Sequence, residues 1–255
     1  MEVPAFEAVI FDMDGVITKT AITHAAAWKK MFDEFLQKRA AETGEDFVEF
    51  TQNDYLAYVD GKPRYKGVAS FLESRKIQLP FGDPSDKAGA ETICGLGNRK
   101  NDSFNEVIAR DGVEVYESTV ALLNELKTAG IKLGVASSSK NCVTVLEAVD
   151  MLKLFGARVD GVVSAELGLH GKPEPDIFTT ACQILGSTPA KSIVVEDAVS
   201  GVQAGAKGKF GLTLGIAREN NELELAENGA DFVVTDLAEI NGMQGLNELF
   251  KKNKT

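Results

Sequence analysis

The sequence predicts an α/β protein, a doubly wound and mostly parallel sheet that carries an inserted α-helical domain. Three observations predict it. Short apolar runs rich in β-branched residues alternate with segments of helical periodicity over most of the chain, the pattern of strands joined by crossover helices. One long stretch, from Thr20 to about Asp111, interrupts the alternation and shows helical patterns only. Several apolar runs close on acidic or hydroxyl residues, and in open parallel sheets ligands gather at the carboxyl ends of strands. The implied boundaries are residues 1–20 with 112–255 for the sheet domain and 21–111 for the insert.

The first run, Ala8 to Phe11, is apolar throughout and soon followed by Gly15, as a strand buried on both faces should be. Further strand candidates are Lys132 to Ala136, Val159 to Ser164, Ser192 to Val195, Gly211 to Ile216 and Phe232 to Thr235. Between them, Val120, Leu123, Leu126 and Lys127 before Gly130, then Val143 to Leu154, Ile177 to Leu185 and Gly201 to Gly205 read as crossover helices. In the insert, Trp28, Met31, Phe32 and Phe35 follow helical spacing. Its middle, Asp54 to Lys66, carries Gly61-Lys62-Pro63-Arg64 and reads as a turn or loop. Lys251 to Lys254 reads as a frayed tail.

With 255 residues of which 44% are hydrophobic, the chain can bury a large core, as one sizeable domain or one with an inserted module. Met1-Glu2-Val3-Pro4 has no basic or long apolar region, and no segment approaches about 18 uninterrupted apolar residues, so a cytoplasmic location is expected. Cys94, Cys142 and Cys182 are odd in number and lack C-x-x-C spacing, which predicts reduced core thiols and neither a disulfide framework nor a zinc site. A net charge of −11 disfavours nucleic acid and anionic membranes as partners and favours small substrates, and the chain is expected to act as a monomer.

The strand ends carry the chemistry. Asp12 and Asp14, separated by one residue, can lie on the same side of an extended chain, close enough to share a divalent cation or to hold different pKa values. Asp12-Met13-Asp14-Gly15 is also good turn chemistry. Ser137-Ser138-Ser139-Lys140-Asn141 sets hydroxyls, an ammonium and backbone amides near a helix start, which suits a phosphate cradle or an ordinary N-cap. Leu169-His170-Gly171-Lys172-Pro173-Glu174-Pro175-Asp176 puts Lys172 in a loop stiffened by two prolines, where a lysine can also be simply solvated. Val194-Val195-Glu196-Asp197 ends another run in two acids, again suggesting a cation. Assembled, these ends supply what phosphoryl transfer through an aspartyl phosphate needs. The attacking carboxylate and the phosphate are both anionic, so a hard cation with oxygen ligands, Mg²⁺, must neutralise their approach. A lysine and a serine share the remaining charge. A second acid of raised pKa protonates the leaving oxygen, and Asp14 is placed to do so. A P-loop is excluded because Gly61-Lys62, Gly171-Lys172 and Gly208-Lys209 lack the glycine five positions earlier, and Gly95-Leu96-Gly97 is no dinucleotide fingerprint.

The chain resembles the haloacid dehalogenase superfamily, in its β-phosphoglucomutase-like subgroup, whose helical cap follows the first strand. The resemblance is carried by Asp12-Met13-Asp14-Gly15-Val16, Ala136-Ser137-Ser138-Ser139-Lys140-Asn141, Gly171-Lys172-Pro173-Glu174-Pro175-Asp176-Ile177-Phe178 and Glu196-Asp197 with Ser200-Gly201-Val202-Gln203-Ala204. It implies Asp12 as nucleophile and Mg²⁺ ligand, Asp14 as general acid and base, Ser137 and Lys172 on the transferring phosphate, and Glu196, Asp197 and the Asp14 backbone carbonyl on the metal. Dehalogenases proper have no use for the second acid, so Asp14 argues for phosphate chemistry. In the cap, the stretch from Thr18 through Thr20 to His24, followed by Ala27-Trp28-Lys29, resembles the hinge and first cap helix. The resemblance implies His24 as the contact to the acid/base, Lys100 as the lysine that reaches that histidine, and Thr20 as a substrate contact. Gly61-Lys62-Pro63-Arg64 resembles the loop whose arginine grips the phosphate not being transferred, with Ser139, Lys140 and Asn141 opposite. The segments Ala40 to Asp60 and Ile77 to Ala90 are longer than that cap requires; similar stretches occur in hydrolases of the subgroup and in domains beside disaccharide enzymes. The implied activity is Mg²⁺-dependent transfer on a phosphorylated sugar, with either hydrolysis of a phosphate monoester or isomerisation of β-glucose 1-phosphate to glucose 6-phosphate as its outcome. Alternatives are a phosphatase for another small phosphometabolite, such as a disaccharide phosphate, and a non-catalytic binding protein.

Overall fold

A computed structural model describes residues 4–254; Met1-Glu2-Val3 at the N-terminus, and Thr255, lie outside the described residues. The chain divides into two units, one made of the chain up to Lys19 and from Val113 onward, the other of Thr20–Gly112. Along the chain, α1 (Thr20–Thr43), α2 (Gln52–Tyr58), α3 (Arg64–Ser74) and α4 (Ile93–Asp111) build the helical unit. The sheet unit holds β1 (Ala8–Phe11), β2 (Lys132–Ala136), β3 (Ala157–Val159), β4 (Ser192–Glu196), β5 (Leu212–Ile216) and β6 (Phe232–Val234). Its helices are α5 (Glu117–Thr128), α6 (Cys142–Ala148), α7 (Gly161–Glu166), α8 (Asp176–Ile184), α9 (Val199–Lys207), α10 (Glu222–Glu227) and α11 (Gly242–Lys252).

The strands stand in the order β3-β2-β1-β4-β5-β6, and each neighbouring pair is parallel. β1, β4 and β5 are buried along their whole length, which is why they read as unbroken apolar runs and show no alternation. Ile177, Phe178, Ala181 and Cys182 of α8 close one face over Ile10, Ala136 and Val194. Register then positions the chemistry. Phe11 lies opposite Val135 on one side and Val195 on the other, so Asp12, Ser137 and Glu196 emerge at one carboxyl edge. The strand order turns outward in both directions between β1 and β4, the switch point at which such sheets bind ligands.

The helical unit has a core of its own, with Trp28, Phe32, Phe35, Phe50 and Phe71 buried together. Phe32 stacks on Phe50 at 4.9 Å between centroids, and Phe71 meets Phe50 edge-on at 4.9 Å.

Four expectations are corrected. The run Val159 to Ser164 is a strand only to Val159, because Asp160 accepts the N–H groups of Val162 and Val163 at 2.9 and 3.0 Å and starts α7. The helix expected over Val143 to Leu154 ends at Ala148, and Leu152–Leu154 forms a separate 3₁₀ turn. The loop expected over Asp54 to Lys66 is mostly helix. Thr51 and Asp54 form a reciprocal capping box that starts α2, and Pro63 immediately precedes α3, leaving residues 59–63 as the turn. The Lys-rich end is no frayed tail: Lys251 and Lys252 belong to the last turn of α11, which buried Leu246 and Phe250 hold in place, and Lys254 Nζ lies 4.4 Å over the Phe250 ring.

Candidate active site

Asp12 leaves β1 with its N–H donating to the Val195 carbonyl at 2.9 Å, so its backbone continues the sheet ladder while its side chain, 7% exposed, stays at the edge. Lys172, from the loop ahead of α8, donates to Asp12 Oδ1 at 2.5 Å and also to Glu196 Oε1. The other Glu196 oxygen accepts the Ala198 N–H at 2.7 Å. All three side chains are buried, and Lys172 Nζ lies 5.2 Å over the Phe178 ring. The alternative of a merely solvated lysine therefore does not hold.

Burial pushes Asp12 well above the ordinary carboxylate range; Lys172 pulls the other way, and the Glu196 and Asp14 charges add to the rise. For Lys172, burial favours the neutral amine, but Asp12 and Glu196 outweigh it and raise its pKa, so it stands as an ammonium. The rise at Asp12 reflects burial and neighbouring negative charge that Lys172 does not fully offset, and a further cation beside it would relieve that excess.

Asp12-Met13-Asp14-Gly15 is both a turn and a cluster of functional groups. Gly15 N–H donates to the Thr18 carbonyl at 2.7 Å and Thr18 N–H to the Met13 carbonyl at 2.9 Å. Gly15 has φ +87°, and a Cβ there would collide with the Asp197 carboxylate, so Asp197 lies directly against the turn. Ser137 Oγ donates to Asp14 Oδ2 at 3.3 Å, and Ser139 N–H to Ser137 Oγ at 3.0 Å. Ser139 Oγ accepts the Asn141 N–H at 3.1 Å, so hydroxyls order the backbone of the cradle up to the start of α6. Lys140 packs beside Gly161 at the start of α7. Among the described residues no group of three or more His, Cys, Asp and Glu side chains is arranged to hold a metal. The carboxylates of Asp12 and Asp197 with the backbone carbonyl of Asp14 are nonetheless hard oxygen donors of the kind Mg²⁺ takes, with water completing the shell, and the donor set fits that ion.

In the helical unit, His24 stacks on Phe104 at 3.9 Å with 3° between the rings, and Lys100 bonds to His24 Nδ1. Lys100 is buried, its Nζ 5.0 Å over Trp28 and 5.1 Å over Phe104. Arg64 opens α3 and donates from Nη2 to Asn101 Oδ1 at 2.6 Å. Thr20 is buried at the start of α1.

A family model described as haloacid dehalogenase-like hydrolase matches residues 6–209. The chain belongs to that family. This haloacid dehalogenase-like protein is 47% identical over 237 residues to a β-phosphoglucomutase of Mycobacterium bovis, covering 91% of this chain and 90% of that one. It is 33% identical over 235 residues to a β-phosphoglucomutase of Bacillus subtilis, covering 92% and 91%. Its fold is similar to the crystal structure of a Clostridium difficile β-phosphoglucomutase, with a TM-score of 0.76 at 24% identity over 97% of this chain and 98% of that one. It is an enzyme of the phosphatase and phosphomutase kind within the family.

One further residue of this haloacid dehalogenase-like enzyme was not found from its sequence. Arg218, two residues past β5, donates from Nε to the Gly15 carbonyl at 2.9 Å and from Nη1 to the Thr235 carbonyl at 2.9 Å. Its guanidinium lies 3.6 Å over the Tyr116 ring. The one signal for it was a charged residue just beyond the end of an apolar run, the same signal that marked Asp12 and Glu196.

Proposed function

We propose that this enzyme isomerises β-glucose 1-phosphate to glucose 6-phosphate through a phosphoryl group carried on Asp12. The observation that carries this reading is its likeness, over nearly the full length of both chains, to a mycobacterial protein named β-phosphoglucomutase. The edge at which Asp12, Asp14, Ser137 and Lys172 meet supports the chemistry.

In this reading phospho-Asp12 gives its phosphoryl group to the 6-hydroxyl of β-glucose 1-phosphate, while Asp14 accepts the hydroxyl proton. The resulting bisphosphate turns round. Asp12 then attacks the 1-phosphate, the bond from phosphorus to the C1 oxygen breaks, and Asp14 returns its proton to that oxygen, giving glucose 6-phosphate and phospho-Asp12 again. Lys172 and Ser137 meet the charge on the phosphoryl oxygens. Asp12, Asp197 and the Asp14 carbonyl would hold a Mg²⁺ ion, which would supply further charge neutralisation when bound. Glu196, whose two oxygens are taken by Lys172 and Ala198 N–H, acts in this scheme by holding Lys172. Arg64 binds the phosphate that is not being transferred, with Ser139, Lys140 and Asn141 as further donors; Lys100 orients His24, and Thr20 contacts the sugar. We further propose a cytoplasmic monomer acting on a small phosphosugar, with neither nucleic acid nor membrane as partner. Three buried thiols support that compartment, and among the described residues no helix is long and apolar enough to cross a membrane.

Phosphorus NMR on β-glucose 1-phosphate with Mg²⁺ and a catalytic amount of glucose 1,6-bisphosphate tests the proposal. Glucose 6-phosphate is the expected product; inorganic phosphate in its place identifies a phosphatase.

A further inference from the structure

Residues 77–92 of the helical unit contain neither helix nor strand. Irregular stretches of this length inside a compact unit are uncommon unless they serve a function. This one is tied down along its course. Ile93 N–H donates to the Pro80 carbonyl at 3.0 Å, Cys94 N–H to the Phe81 carbonyl at 3.0 Å, and Arg99 Nε to the Ala88 carbonyl at 2.8 Å. Thr92 Oγ1 donates to Asp86 Oδ2 at 2.6 Å.

Asn98 of α4 joins this stretch to Arg64. Its Nδ2 donates to the carbonyls of Pro84 at 3.1 Å and Asp86 at 2.8 Å. Carbonyls only accept, so these two contacts fix which end of the amide faces the stretch. Oδ1 is thereby turned the other way, where it accepts the Tyr65 hydroxyl at 3.0 Å and Arg64 Nη1 at 3.5 Å. The Tyr65 hydroxyl also reaches the Pro84 carbonyl at 3.4 Å, and its ring meets Phe81 edge-on at 6.1 Å. Gly97 makes room for this arrangement: a Cβ there would stand 2.8 Å from Tyr65 Cδ1 and 3.2 Å from Arg64 Cδ. Asn101, one turn further along α4, takes Arg64 Nη2. The guanidinium thus rests on two α4 amides, one of which is oriented by carbonyls of the extended stretch.

We propose that residues 80–92 act as a brace that aims Arg64 through the positioning residues Asn98 and Tyr65, and so set how tightly the enzyme grips the phosphate that is not being transferred. The inference rests on the reading of Arg64 given above. It gives the extended stretch a function: a guanidinium with five donors recognises a phosphate only when its plane is held, and the brace holds it.

The test compares Asn98→Ala, Tyr65→Phe, Arg64→Ala and the double variant Arg64→Ala/Asn98→Ala on two substrates, β-glucose 1-phosphate in the primed isomerisation and p-nitrophenyl phosphate in hydrolysis. Asn98→Ala is expected to raise KM for the sugar phosphate about tenfold with little change in kcat, and to leave aryl phosphate hydrolysis as it was. Tyr65→Phe, which removes only the hydroxyl, is expected to change KM in the same direction by a smaller factor, and carries the test by itself if Asn98→Ala does not fold. On the Arg64→Ala background, Asn98→Ala should add nothing, because both act through one guanidinium. Equal losses on the two substrates, or additive losses in the double variant, overturn the brace. If Arg64→Ala itself loses both activities equally, the phosphate-grip reading of Arg64 fails. If Arg64→Ala is selective while Asn98→Ala and Tyr65→Phe leave KM unchanged, the brace alone fails.

Discussion

Asp12 and Asp14 are separated by one residue, Met13, and have different surroundings. Asp12 is enclosed with Lys172 and Glu196, whereas Asp14 is only half-buried and takes a hydrogen bond from the Ser137 hydroxyl. A group that must shuttle protons needs access, and a group that must carry phosphate needs fixed geometry. Asp14→Asn should therefore lower kcat for isomerisation by about 10²–10⁴-fold while leaving Asp12 able to be labelled by a phosphoryl donor; Asp12→Asn should abolish the labelling itself. Quench-flow trapping of phosphoprotein that is stable in acid and labile in base distinguishes the two, and a labelled Asp12→Asn protein would refute the assignment. The thiols make a contrasting case. Burial pushes Cys142 up to about 12, with Asp14 adding to the rise, so at pH 8 it stays a thiol. Cys94 and Cys182 are equally buried, and Ellman's reagent at pH 8 should find almost no reactive cysteine until urea unfolds the chain. Rapid reaction in the native state would contradict this burial. These residues could be nominated from sequence because each stands at a strand end or within a recognisable run. Asn98 could not, since an asparagine within a helical stretch signals nothing until the carbonyls of Pro84 and Asp86 are brought to its amide.

At the scale of elements, hydrophobic period located the strands well and local hydrogen bonding decided their ends. Lys132–Ala136 is a strand over the residues the pattern marked, because its apolar run meets no competing signal. The run after Val159 looked equally strand-like, yet the Asp160 carboxylate satisfies two backbone donors and starts a helix instead. The same physics governs α2, where Thr51-Gln52-Asn53-Asp54 forms a capping box and Arg75 Nη2 sits 3.0 Å from Asp54 Oδ2. Although burial alone would raise Asp54, its bonds from Thr51 and the Arg75 charge outweigh this and hold its pKa below the ordinary aspartate value. The stabilisation is then complete above that ordinary value and is lost as pH falls through the lower folded one. Asp54→Asn should accordingly destabilise the protein by about 1 kcal/mol at pH 7. The gap from the parent should close below about pH 4. Urea titrations at several pH values measure it, and a gap independent of pH would show that the charge is not involved.

For the whole molecule, the two units carry separate cores, and this has an observable consequence. The chain has one tryptophan, Trp28, and it lies in the aromatic core of the helical unit. Tryptophan fluorescence therefore reports that unit, while far-ultraviolet dichroism reports both. The two signals are expected to give different midpoints in urea, because each unit has a hydrophobic core of its own; superimposable curves would show a single cooperative unit. By itself the sequence determined the fold class and the family resemblance, because buried parallel strands must be apolar runs and reactive groups must cluster where those runs end. It also nominated Asp12, Ser137, Lys172 and Glu196 for one site, though they lie far apart along the chain. Only the tertiary structure decided which of them touch: parallel register brings Phe11 level with Val135 and Val195, and that alignment lets Lys172 bridge Asp12 and Glu196. The parts played by Arg218, Asn98 and the irregular stretch before α4 were likewise decided there. Their hydrogen-bond partners are backbone carbonyls, which every residue carries and which no sequence pattern distinguishes until the chain has folded.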